Sequence, residues 1–442
     1  MESCSTSVRV LVRGRPASTG DQPLVWALLP EQGAVCSAAA NKEFRFDSGL
    51  VFGSTCTHKQ LFEEGLGESA SATLLRGTDV ALLSYGYPGS GKSFTLFGTP
   101  GQSRTRPEAR GLAARIGAQL FDKIQSCECK GKRFRVTVSF YHVFEDGRVA
   151  DLLDGRKRSL RVVGSTAEGY VVEGATSTVV TSPAEVVHAI ERGVLMRNAT
   201  GSERDPAPSG EAILPPKGAP HQTVAGSGPV RSHATHGIFM VCIEQFSATG
   251  DAAMVSRLMV IDLSGSAIEK CHRSPHLLKE GSSILTLHSV LHSLHSGDSE
   301  EKLAEVAARS VFTKILQHCF DRKSCLFFLA AIHTDSIDST LPALQLAAEL
   351  QRAKLAPEKR RAAAESTAVW KHWKSACDAR EELQRKLGVE EGGSMEVQAN
   401  GTLLLNGTVL EDITASCKDL CSAVASAEGS LVVGGKPLTA SR

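Results

Sequence analysis

Gly86-Tyr87-Pro88-Gly89-Ser90-Gly91-Lys92-Ser93 is the stretch that decides the fold. It fits G-x-x-x-x-G-K-[S/T] at every fixed position, the pattern of a loop that wraps phosphate. Its flanks suit that task. Val80-Ala81-Leu82-Leu83-Ser84 before it has the apolar character of a short buried strand, and Ser93-Phe94-Thr95-Leu96 after it opens a helix. Strand, glycine turn and helix N-terminus together aim backbone N–H groups and the helix dipole at one anion. On this pattern Lys92 neutralises β- and γ-phosphate charge, and the Ser93 hydroxyl ligates magnesium.

The rest of the composition is that of an ordinary globular protein, 42% hydrophobic and 22% charged over 442 residues. A formal net charge of +1 supplies no overall basic field, so no nucleic-acid partner is expected and any acidic partner has to be met by a local patch. The twelve cysteines lack a ligand-like framework; Cys127/Cys129 and Cys417/Cys421 are close pairs without a second pair at zinc spacing. They are expected to be reduced thiols of a cytosolic protein. Neither a signal-like N-terminus nor a membrane-length apolar run is present, so no membrane partner is expected. The Asn-x-Thr triplets at Asn198, Asn400 and Asn406 are accordingly expected to carry no glycan.

Outward from the glycine loop, strands are expected at Val8–Arg13, Phe134–Val143, Gly237–Phe246, Arg257–Leu263 and Ser324–Ile332. Helical patterns lie between them, at Gly111–Gln125, Pro183–Arg197, Leu277–His295, Val306–Cys319 and Thr340–Lys354. Apolar strands alternating with amphipathic helices argue for an α/β fold with a mostly parallel central sheet and helices on both faces. Residues 198–230 are rich in proline and glycine and read as a flexible insertion. Residues 357–388 are charged and Ala-rich, with Val369, Trp373, Ala376, Leu383 and Leu387 near heptad spacing. They suit either a short dimerising coiled coil or a lone helix packed on the core. Beyond Gly392, turns at Asn400-Gly401 and Asn406-Gly407 suggest hairpins, with a helix at 411–426 and a strand at Ser430–Val433.

Several further segments, taken in order, resemble the kinesin motor domain. Arg13-Gly14-Arg15-Pro16 looks like the R-x-R-P element beside the adenine. Phe44-Arg45-Phe46-Asp47, Val51-Phe52 and Gln60 match the next strand and helix entry, and Tyr85 leads the phosphate loop. Val138–Asp154 resembles V-S-x-x-E-I-Y-N-E-x-x-x-D-L-L. Arg231-Ser232-His233 followed by Gly237-Ile238-Phe239 is similar to the end of switch I, and Asp262-Leu263-Ser264-Gly265-Ser266 to switch II. Gly281–Leu294 resembles the relay helix, Phe312–Gln317 the helix after it, and Thr340 to Lys354 the closing T-L-x-x-L-x-F-A…R-A-K.

The resemblance implies a P-loop NTPase of kinesin type in residues 1–356, with 198–230 inserted, a neck-like helix in 357–391 and a small α+β module in 392–442. It implies ATP and Mg2+ as cofactors, tubulin in microtubules as partner, and a cytoplasmic, cytoskeletal location. Arg13, Pro16, Tyr85, Gly86, Gly89, Ser90, Gly91, Lys92, Ser93 and Phe94 are the implied nucleotide contacts. Asp262 is implied to hold a magnesium-bound water, Gly265 to sense the γ-phosphate, and Arg231 and Ser232 to serve in switch I. Loss of the γ-phosphate frees the loop, and the relay helix shifts on the filament.

The departures fall on the chemistry. Pro229 and Val230 stand where the family has two switch I serines, and Ala267 stands where it has a glutamate that pairs with the switch I arginine. Neither Pro229 nor Val230 supplies a hydroxyl, and Pro229 also lacks an N–H. Glu269 is a candidate substitute for the missing carboxylate. Only Arg309 is basic in Ala307–Thr313, where kinesins carry Y-R-D-S-K-L-T; Lys270, His272, Arg273 and Lys279 are candidate compensating cations. His288, His292 and His295 share one helical face at metal-ligand spacing, with a solvated face as the alternative. Three functions follow: an ATP-driven microtubule motor, a nucleotide-holding microtubule scaffold of weak turnover, or a P-loop ATPase that binds no filament.

Overall fold

The computed structural model describes residues 6–355 apart from 16–23, 47–49, 129–132, 167–168, 201–234, 247–251 and the single positions 68, 100, 158, 280 and 322. Beyond 355 it describes Lys386, Lys418 and the short strands Met395–Val397, Leu403–Leu405 and Thr408–Val409. Those three strands pair antiparallel in chain order. The helix expected at 357–388, with Trp370 and Trp373, the helix at 411–426 and the strand at 430–433 lie outside the described residues.

The central sheet has nine strands: β1 Arg9–Arg15, β2 Val51–Phe52, β3 Val80–Tyr85, β4 Arg133–Val143, β5 Val149–Asp151, β6 Thr178–Val179, β7 His236–Phe246, β8 Ala252–Asp262 and β9 Cys325–His333. Its order is β6-β4-β7-β8-β3-β9-β1-β2, with β5 paired to β4 off that path. The sheet is mixed. From β8 through β3, β9 and β1 to β2 every pairing is parallel, whereas β8, β7, β4 and β6 run antiparallel. The parallel half carries the phosphate loop, and its strands are near-continuous apolar runs because both faces are covered.

Those faces read directly from the alternation along the strands. Val10, Val12, Leu83, Tyr85, Ile261, Phe328 and Ala330 point to one side, against Ile284, Leu287, Val290, Leu291 and Leu294. Leu11, Leu82, Val260, Phe327 and Leu329 point to the other, against Leu112, Ile116, Leu120, Val186, Val187 and Ile190. The helices supplying these side chains are α2 Leu112–Glu128, α3 Pro183–Thr200 and α5 Ser283–Ser296; α1 Lys92–Phe97, α4 Gly265–Arg273, α6 Glu300–Ala307 and α7 Ile337–Leu350 add further residues to the same two clusters.

Three expected helices differ in outline. The pattern from Leu277 is a short turn, Pro275–Leu277, followed by α5 from Ser283; Gly281 between them has φ 77°, left-handed backbone that a helix does not continue through. The Val306–Cys319 pattern is broken because Ser310 leaves the helical conformation and its hydroxyl caps a fresh start at Val311, accepting from the Thr313 amide. The last helix starts earlier, at Ile337 behind a Ser336 cap, and ends at Leu350, so Lys354-Leu355 pair as a strand with Thr6-Ser7. Helix α3 runs through Thr200, three residues into the segment expected to be inserted.

Candidate functional site

Parallel pairing brings the site together. Asp262, the last residue of β8, stands opposite Ser84 of β3, two residues before Gly86. The loop that follows β3 and the carboxylate that ends β8 therefore emerge at the same edge, where ligands bind in open α/β sheets. The turn is made by glycines with φ of 150° at Gly86, 76° at Gly89 and 94° at Gly91. A Cβ on Gly86 would come within 2.1 Å of the Ala331 carbonyl, so only glycine fits there.

Lys92 is buried and donates to the carbonyls of Gly86 at 2.7 Å and Tyr87 at 2.9 Å, folding its ammonium back over the loop. Burial pushes its pKa down to about 8, with the nearby Asp262 charge acting in the opposite direction. Ser93 Oγ donates to Asp262 Oδ2 at 2.5 Å. A hydroxyl and a carboxylate so placed form a hard oxygen pair of the kind magnesium takes. Ser90 is buried, and among the described residues its hydroxyl has no partner. Gly265 opens α4 directly against the loop: a Cβ there would lie 2.7 Å from the Pro88 nitrogen and 2.9 Å from Lys92 Nζ.

The guanidinium that meets Asp262 comes from Arg197, near the end of α3. Its NH1 lies 2.5 Å from Asp262 Oδ2, and its NH2 donates to the Thr235 carbonyl at 2.5 Å. Both side chains are almost wholly buried, at 3% and 1% exposure. Burial alone would raise the Asp262 carboxyl, but the charges of Arg197 and Lys92 hold it below the ordinary carboxylate range. Sequence reasoning missed Arg197, which looked like the last residue of an amphipathic helix; its one signal was a charge placed just before the inserted segment.

His236 was missed as well. It heads β7 three residues after His233, and it is fully buried. Its Nδ1 accepts from the Ser264 amide, just after β8, at 3.1 Å, so its Nε2 carries the proton. That nitrogen lies 2.8 Å from Ser283 Oγ, at the start of α5, and 3.1 Å from Glu145 Oε1. Ser283 also donates to Glu145 at 2.9 Å. Burial would raise Glu145, but the hydrogen bonds from His236 and Ser283 hold it low. The turn after β8, the β4–β5 turn and the start of α5 are tied at one point.

At the far side of the loop, the Arg13 guanidinium lies over the Phe94 ring, 5.4 Å from its centroid, and donates to Thr95 Oγ1 at 2.6 Å. Phe94 is 47% exposed and is backed by the buried His58 ring, with centroids 4.4 Å apart. Arg15 donates to the Gly89 carbonyl, and the His333 ring bonds the Pro88 carbonyl at 3.0 Å, so β1 and β9 both brace the loop.

Some expected roles are not what the geometry provides. The Tyr85 side chain is fully buried, and its hydroxyl meets His272 and His288. Glu269 pairs with Arg273 at 3.2 Å one turn on. Arg273 and His272 are thereby engaged within the molecule. His288 joins Tyr85 rather than His292 and His295, and among the described residues no His, Cys, Asp or Glu cluster forms a metal site. Pro16, Gly226, Pro229, Val230, Arg231, Ser232 and His233 lie outside the described residues.

The family model described as the kinesin motor domain matches residues 30–206 and 218–353, well over half of the chain. The chain belongs to the kinesin motor-domain family. It is 28% identical to a kinesin heavy chain of Neurospora crassa over 324 residues, covering 72% of this chain and 32% of that protein. It is 26% identical to the kinesin-like protein KIN-12F of Arabidopsis thaliana over 352 residues, covering 75% of this chain and 28% of that protein. This kinesin domain thus spans about a third of the length of those relatives. A solved structure of a fast kinesin superposes with a TM-score of 0.64 at 23% identity, covering 80% of this chain and 94% of that one, which shows the shared fold. A kinesin motor fold is a nucleotide-binding fold. Among the described residues no helix is long and apolar enough to cross a membrane.

Proposed function

We propose that this chain binds ATP with magnesium at residues 86–93 and converts the nucleotide state into microtubule affinity, as an ATP-driven, microtubule-based motor of the cytoskeleton. The observation that carries this reading is the convergence of Lys92, Ser93, Asp262 and Gly265 at the end of two adjacent parallel strands. Lys92 leaves its two backbone carbonyls to meet phosphate oxygens, and Ser93 exchanges the Asp262 carboxylate for the metal. Ser93, with Asp262 through a water, would hold magnesium, which would supply positive charge to the phosphate oxygens. Arg197 keeps Asp262 ionised and pointed at that water. Arg13 and Phe94 form the flank for the adenine, joined by Pro16. Gly86, Gly89, Gly91 and Ser90 shape the loop that encloses the phosphates. Arg231 and Ser232 complete switch I, and dimers form through residues 357–388.

A second reading, a nucleotide-holding protein of weak turnover, is favoured by one observation. Ala267 supplies no carboxylate at switch II, and the nearby Glu269 is taken up by Arg273. Phosphoryl transfer rests on positioning and charge, so a lost closing ion pair slows hydrolysis more than it weakens binding.

Steady-state ATP turnover of the purified chain, with and without saturating microtubules, separates the two, with Lys92→Ala as the control for nucleotide binding. Turnover that rises with microtubules supports the motor. Background turnover with retained nucleotide binding supports the holding protein, and wild-type nucleotide affinity in Lys92→Ala refutes both.

A further inference from the structure

Tyr85 ends β3 and is the residue immediately before Gly86. Its phenol oxygen lies 2.7 Å from Nε2 of His272 on α4 and 2.8 Å from Nε2 of His288 on α5. One hydroxyl thus joins the strand of the phosphate loop to the helix that follows switch II and to the relay helix. The rings are close packed as well. His272 and His288 centroids are 5.4 Å apart, and Tyr87 of the loop itself stacks on His272 at 6.1 Å and 23°. The floor of the junction is Phe328 of β9, 5.8 Å from Tyr85.

A phenol has one proton, so it donates to one imidazole and accepts from the other. The direction follows from Cys271. Its thiol lies 3.7 Å from Nδ1 of His288, and burial raises its pKa, which keeps the proton on sulfur. With that thiol as donor to Nδ1, His288 carries its own proton on Nε2 and donates to Tyr85, which donates to His272. Every member is satisfied only while both imidazoles are neutral. Burial and the adjacent His272 push His288 down to about 4, which keeps it so near neutral pH.

We infer that His272 and His288 are positioning residues that latch the relay helix to the phosphate loop through the Tyr85 hydroxyl. The inference rests on the proposed nucleotide site and specifies how its state reaches α5. Helix α5 is held at its start through Ser283, by His236 and Glu145, and at its middle through His288. A movement of about 1 Å that draws His288 away from Tyr85 carries this bond beyond hydrogen-bond length and leaves the buried His288 Nε2 proton without that acceptor, while Tyr85 still donates to His272. The latch therefore makes the helix position two-valued, engaged or released, rather than continuously adjustable.

The test is amide hydrogen exchange across residues 283–296 of the full chain, in the presence of ADP and of a non-hydrolysable ATP analogue. The wild-type chain is expected to show a difference between the two nucleotides. His288→Leu keeps the apolar volume and is expected to bind both nucleotides within about twofold of wild type, while that difference in exchange shrinks on the order of tenfold. Tyr85→Phe removes the same bond from its other end and is expected to shrink the difference alike. His288→Gln places an amide where Nε2 stood and is expected to restore it. An undiminished difference in His288→Leu overturns the latch, and so does failure of His288→Gln alongside it, because volume and not the hydrogen bond is then the cause. A wild-type chain that binds neither nucleotide removes the proposed function together with the latch; normal binding with an unaltered difference removes the latch alone.

Discussion

Arg197→Met tests the electrostatic centre of the site. The substitution keeps most of the side-chain volume and removes the guanidinium that faces Asp262 at 2.5 Å. Breaking a buried ion pair by removing one partner costs about 3–5 kcal/mol, because the remaining charge stays buried without compensation. Here the lower end applies, about 3 kcal/mol, since Ser93 still donates to Asp262 and Lys92 still raises the local potential. For a domain of about 350 residues that corresponds to a fall in Tm of about 4 °C. Asp262→Asn is expected to cost a similar amount, and the double variant less than the sum, with a coupling of about 2–3 kcal/mol. The assay is urea denaturation of the nucleotide-free chain at pH 7, followed by circular dichroism. The pH sign provides a second check. The Asp262 pKa is held below its unfolded value, so the pair's contribution is complete above about pH 4 and is lost as pH falls through the folded value. Single variants that each cost under about 1 kcal/mol and add without coupling would refute the reasoning.

Two more outcomes follow from the same site. Lys92 sits near pH 8 without ligand, and phosphate charge favours its protonated form, so nucleotide affinity should be level through pH 7 and fall above about pH 8 by up to tenfold per unit, with up to one proton taken up; titration calorimetry in two buffers checks this, and a flat affinity or proton release contradicts it. Gly265→Ala drives a Cβ into the Pro88 nitrogen and Lys92 Nζ, and overpacking of about 1–3 kcal/mol at that contact should lower nucleotide affinity by about tenfold or more; a fluorescent-nucleotide titration that returns wild-type affinity opposes the proposed placement of switch II.

The parts of this molecule that were legible in the sequence are those set by short-range physics. The glycines at 86, 89 and 91 are needed because the loop there takes positive φ, and such residues announce themselves one at a time. The runs at Val80–Tyr85 and Cys325–His333 are continuous apolar stretches because both faces of the parallel half are covered, and their length separates them from helices. The order of these pieces along the chain was enough to carry the resemblance to kinesins. What stayed hidden was pairing across the fold. Arg197 is a helix-end arginine until parallel and antiparallel registers set Asp262 beside it, 65 positions away. His236 is a strand residue until Ser264, Glu145 and Ser283 close around it. His288 shares a helical face with His292 and His295, yet it bonds Tyr85, 203 positions away. A buried polar group must find its partner wherever the packed chain presents one. Spacing along the sequence therefore determined which local structures form and where a phosphate loop lies; only tertiary contact decided which charges and imidazoles meet there, because those partners are chosen by desolvation and proximity in three dimensions.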